Sequence, residues 1–187
     1  MMRQVRAFLA GALLVGLIAF VSGAGTYAAF FSRTTNDGNG VGNSVDAGTV
    51  DLVDNDAGSA MFTVGGMRPG DPAVSSCITV TYNGSLGSVV SLYASVSGGL
   101  APYLNLTVQA GTTTTGFGDC SGFTSTQVLY SGALSAFPTA YGSIVDPDPS
   151  WTTGTSHGYQ FIVSLQNAPA AQGLSAAAAF TWEARNL

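Results

Sequence analysis

From Val74 to Tyr82 the chain alternates between Ile78, Val80 and Tyr82 on one side and Cys77, Thr79 and Thr81 on the other. A two-residue period sorts side chains onto opposite faces of an extended strand, and a helix cannot do so. Ser88 to Val96 resumes the pattern, with Val90, Leu92 and Ala94 opposed to Val89, Ser91 and Tyr93. With Asn83-Gly84-Ser85 between them, the two runs are expected to pair as a hairpin.

Further strands are expected at Leu104–Gln109, Gln127–Tyr130, Tyr159–Leu165 and Ser175–Arg185. In the last, Phe180, Trp182 and Ala184 share one face while Thr181, Glu183 and Arg185 share the other, the pattern of a half-buried strand. Between the strands, Ala110–Gly122 is rich in Thr and Gly, and Asp146-Pro147-Asp148-Pro149-Ser150 cannot lie inside a regular strand, so both read as loops. No segment beyond the N-terminal region has a helical period. The expectation is an all-β, antiparallel β-sandwich.

The N-terminus has a different character. Arg3 and Arg6 precede an apolar run from Ala7 to Val21, and no charge occurs again before Arg33. This is the layout of an export signal helix. Gly11, Gly16, Gly23 and Gly25 weaken it as a long membrane-spanning helix, which favours a cleaved signal over an uncleaved anchor. The small-x-small rule allows cleavage after Ala24 or after Ala28. If cleavage falls near Ala29, residues 1–29 are the signal, 30–44 an Asn- and Gly-rich N-terminal arm that begins Phe30-Phe31, and 45–187 the sandwich.

Loss of the signal leaves Arg33, Arg68 and Arg185 against 10 acidic residues. So acidic a surface repels phosphate backbones, and no nucleic-acid partner is expected. The two cysteines, Cys77 and Cys120, are expected to pair in an exported chain, closing a loop of roughly 40 residues and stabilising the fold by about 4 kcal/mol on the chain-entropy model.

Catalytic chemistry is hard to assemble. His157 is the sole histidine, no His-Glu-x-x-His or Gly-x-Ser-x-Gly motif occurs, and His157 beside Gly158 reads as a solvated loop residue. No catalytic residue, cofactor or catalytic metal is expected. Asp54 and Asp56 in Asp54-Asn55-Asp56-Ala57-Gly58 resemble the start of a calcium loop, but no glutamate closes it and a turn is the favoured reading.

Five short motifs occur in order along the chain: Gly25-Thr26-Tyr27-Ala28-Ala29-Phe30, Ala47-Gly48-Thr49-Val50-Asp51-Leu52, Arg68-Pro69-Gly70-Asp71, Asn83-Gly84-Ser85-Leu86 and Phe180-Thr181-Trp182-Glu183-Ala184. Together they resemble the TasA and camelysin (CalY) family of exported biofilm-matrix proteins. The likeness covers the two ends and the first half best, and Ala110–Ser156 carries no family motif. The absence of lysine and the cysteine pair depart from the family pattern, and the chain is shorter than the best-known matrix member.

The resemblance implies a jelly-roll-like sandwich and cleavage by a dedicated signal peptidase between Ala29 and Phe30. It also implies head-to-tail filaments in which the arm of one copy, starting at Phe30 and Phe31, completes the sheet of the next. The expected partners are copies of the same chain and the signal peptidase, and the expected location is the extracellular matrix or cell surface. Two rival readings are a camelysin-type secreted metallo-endopeptidase and a monomeric surface binding domain.

Overall fold

The computed structural model describes residues 47–187. The signal, the arm and the Ala29/Phe30 cleavage position all lie outside the described residues. Among the described residues eight strands form: β1 Leu52–Asp54, β2 Val74–Tyr82, β3 Ser88–Ser97, β4 Leu104–Gly111, β5 Ser125–Ala133, β6 Ile144–Val145, β7 Ser156–Leu165 and β8 Ala177–Asn186. They make two antiparallel sheets, one of five strands in the order β1-β2-β7-β4-β5 and one of three in the order β6-β3-β8. The sheets pack as a sandwich, and β2 to β3, β3 to β4, β5 to β6, β6 to β7 and β7 to β8 each cross between them.

The alternation read from the sequence is what fills the interior. Ile78, Val80 and Tyr82 face Val90, Leu92 and Ala94 across the core, joined by Leu104, Leu106 and Val108 of β4 and by Tyr159 and Phe161 of β7. Phe180 and Trp182 of β8 close it from the three-stranded sheet, with Phe161 4.6 Å from Phe180 and Tyr159 5.3 Å from Trp182 between ring centroids. These tilted aromatic contacts each contribute about 1 kcal/mol beyond area burial. On the outer face of β8, Glu183 accepts the Tyr93 hydroxyl at 2.8 Å and lies 2.7 Å from Arg185 Nε.

The hairpin expected from β2 and β3 does not form, because the two strands lie in different sheets. Tyr82 is the reason. Its fully buried ring sits at the bend, and its hydroxyl bonds the Leu86 carbonyl and, at 2.8 Å, Ser88 Oγ, so the chain wraps around the ring instead of folding flat. A side chain on Gly84 would collide with that hydroxyl at 2.3 Å. The bend spends its backbone groups on the segment before β1: Asn83 N–H bonds the Asp51 carbonyl, and Ser85 N–H the Thr49 carbonyl, each at 2.9 Å. Two of the five motifs, Ala47–Leu52 and Asn83–Leu86, thus dock on one another. The Ala47–Leu52 segment enters the ladder only at Leu52, opposite Tyr82.

Candidate functional site

Two features stand out, a buried polar cluster at one end of the sandwich and a groove along β8. The cluster centres on Asp146, which follows β6. Its Oδ1 accepts the Trp151 indole N–H at 3.1 Å and the Asp148 backbone N–H at 2.9 Å, and its Oδ2 accepts the Tyr159 hydroxyl at 2.6 Å. His157 Nδ1 lies 2.8 Å from Asp146 Oδ1, and its Nε2 lies 3.8 Å from Asp148 Oδ2. The imidazole packs on Trp151 at 4.6 Å between centroids.

His157 is therefore not the solvated loop residue expected from the sequence. It sits in β7 opposite Val80, in register with the core strand. Burial alone would raise the Asp146 carboxyl, but hydrogen bonds from His157 and Tyr159 outweigh it and hold the group below its ordinary value. The same bond to Asp146 raises His157 above its ordinary value, against the opposing effect of burial. Burial, with Asp146 beside it, pushes the Tyr159 phenol well up. Among the described residues no hydroxyl or thiol hydrogen-bonds His157. The arrangement pins the Asp146–Trp151 loop to β7. No local sequence signal marks this pairing, because His157 reaches Asp146 only through the fold.

The groove follows from the sheet order. β8 is the last strand of its sheet, so one side of its backbone is unpaired among the described residues. Opposite that edge, Leu52, Ile78 and Val80 of the five-stranded sheet face Phe180 and Trp182 across a cavity of about 380 Å³. A second cavity of about 910 Å³ continues it toward the start of β8, lined by Leu104, Leu106, Val163 and Leu165. Met61, Ala178 and Phe180 border both cavities; the larger is mostly apolar, whereas the smaller also carries Asp54, Asp56 and Ser59.

Cys77 and Cys120 are joined in a disulfide, as expected. Cys120 belongs to the 112–124 loop, which lies along β2 beyond the end of β1: Gly118 N–H bonds the Cys77 carbonyl at 2.8 Å, and Thr114 N–H bonds Thr79 Oγ1 at 3.2 Å.

Asp54 and Asp56 form a chain of turns. Asp54 Oδ1 accepts the Asp56 N–H at 3.0 Å, and Asp56 Oδ1 accepts the Gly58 N–H at 2.6 Å. Partial burial raises the Asp54 carboxyl. Among the described residues no group of three or more His, Cys, Asp or Glu side chains is placed to hold a metal. Arg68-Pro69-Gly70-Asp71 is a turn, with Asp71 N–H on the Arg68 carbonyl at 3.1 Å and Gly70 at φ 90°. Among the described residues no helix is long and apolar enough to cross a membrane.

Compared with protein-family models and with curated proteins, the chain matches none.

Proposed function

We propose that this protein is an exported structural subunit that polymerises into extracellular fibres by strand addition, in the manner of the TasA and camelysin family that its motifs resemble. The observation that supports the reading is the edge of β8, unpaired among the described residues, beside cavities lined in part by core residues. An exposed strand edge is a template for another chain, and a subunit that offers such an edge and also carries a free extended segment adds head to tail without closing.

The N-terminal arm suits the groove in length and chemistry. Fifteen residues from Phe30 to Ser44 extend to about 50 Å, and the 10 residues of β8 span about 34 Å. In an extended arm, Phe30, Ser32, Thr34 and Asn36 share one face, and Phe31, Arg33, Thr35 and Asp37 share the other. Only the first face is free of charge, so Phe30 enters the groove of the neighbouring copy, while Arg33 and Asp37 stay in water. The Cys77–Cys120 disulfide supports an oxidising, extracytoplasmic location.

Intact mass and electron microscopy of the secreted protein test the reading. A start at Phe30 with filaments is expected, and deletion of Phe30–Asn36 is expected to leave a folded monomer. A correctly processed chain that stays monomeric with its arm intact would sink the fibre assignment.

A further inference from the structure

The groove along β8 is covered by part of the same chain. Between β1 and β2 the connection 55–73 contains no regular strand; residues 60–62 and 64–67 line the larger cavity, and Met61 borders both. Met61, Phe62 and Met67 are half-buried against the core, while Thr63, Val64, Gly65 and Gly66 between them are exposed. Among the described residues, no backbone hydrogen bond ties residues 60–67 to the sandwich; those nearby begin at Ser59 and at Arg68. The strap itself lines the cavity of about 910 Å³, which stays open to solvent beside it. It is thus held by three apolar side chains alone, over a groove that a strand would pack and hydrogen-bond better.

We infer that residues 60–67 are an intramolecular plug, which occupies the acceptor groove in the monomer and is displaced when the arm of another copy enters. The inference rests on the fibre reading above and adds a control step to it. Met61 caps the junction of the two cavities, so the arm cannot run the length of β8 until Met61 has left. The plug shields an edge that would otherwise pair indiscriminately, and it makes the start of a fibre slower than its growth. The fixed ends of the strap, the Asp54–Gly58 turns and the Arg68–Asp71 turn, let its middle leave without unfolding β1 or β2.

Methionine oxidation reports on the strap directly, because Met61 and Met67 are the methionines that remain after residues 1–29 are removed. Mature monomer and filament would be exposed to dilute hydrogen peroxide and each methionine read by peptide mass spectrometry. Both should oxidise at least several-fold faster in the filament. In parallel, Phe62→Ser should shorten the lag of assembly several-fold, with circular dichroism confirming the fold. Filaments in which Met61 and Met67 stay as protected as in the monomer would overturn the plug and leave the fibre assignment standing. An absence of filaments from wild type and Phe62→Ser alike would overturn both.

Discussion

His157 Nδ1 lies 2.8 Å from Asp146 Oδ1, and through that contact the loop after β6 is locked to the middle of the five-stranded sheet. Asp146 is also the acceptor for Trp151 and Tyr159, both nearly inaccessible to solvent. Asp146→Ala would leave four donors, on Asp148, Trp151, His157 and Tyr159, without their acceptor. Loss of a buried charged partner of this kind costs about 3–5 kcal/mol, so urea denaturation should show the midpoint collapse with the m-value little changed. Asp146→Asn keeps two acceptor positions at most and should lie between the variant and wild type.

The same pair sets a pH window. His157 has a raised folded pKa, so its contribution is complete below the unfolded value near 6.5 and fades as pH rises through the folded value. Asp146 has a lowered folded pKa, so its contribution is present above the unfolded value near 3.9 and fades as pH falls through the folded value. Stability should therefore be greatest between about pH 4 and 6.5 and decline on both sides. His157→Gln should flatten the alkaline side of a Tm-versus-pH curve; an unchanged slope would remove His157 as its cause.

Gly158 marks a close approach between β7 and the 112–124 loop, since a Cβ there would stand 2.0 Å from the Thr112 carbonyl oxygen. The obstacle is backbone, so it cannot rotate away. Gly158→Ala should cost about 1–3 kcal/mol in chemical denaturation, whereas Gly122→Ala, with open space around it, should cost only the strain of its φ of 80°.

The Cys77–Cys120 bridge spans a sequence separation of 43 and anchors the loop that runs beside β2. Replacing both cysteines by serine should lower stability by about 4 kcal/mol on the chain-entropy model. Mass spectrometry should show no free thiol in the wild-type secreted protein.

The two aromatic residues of the arm should not be equivalent. Phe30→Ser should slow or abolish filament growth, and Phe31→Ser should do so much less, because only the face with Phe30 lacks charge. Equal effects in a light-scattering assembly assay would contradict the proposed register.

Much of this architecture was legible in the sequence. β2 spans the residues its alternation marks, and β3, β4, β5, β7 and β8 agree to within three residues at each end. The inward set Phe180, Trp182 and Ala184 was also visible, because period-two patterning records which face is buried. Pairing partners were not legible. Asn83-Gly84-Ser85 carries hairpin chemistry, yet the buried Tyr82 ring turns the chain into the opposite sheet. The role of His157 was hidden for a related reason: its neighbours Ser156 and Gly158 look like a turn, and the carboxylate that fixes it comes from another strand connection. The groove was hidden as well, since an unpaired edge is a property of sheet order, which no local pattern encodes.

A high-resolution electron-microscopy map of the assembled secreted protein would show whether strand addition at β8 builds the fibre. An extended strand hydrogen-bonded along β8, traceable to residues 30–44 of the neighbouring copy, is expected, with the Phe30 ring in the groove beside Phe180. A β8 edge left unpaired, or paired with the arm of its own chain, would contradict this expectation.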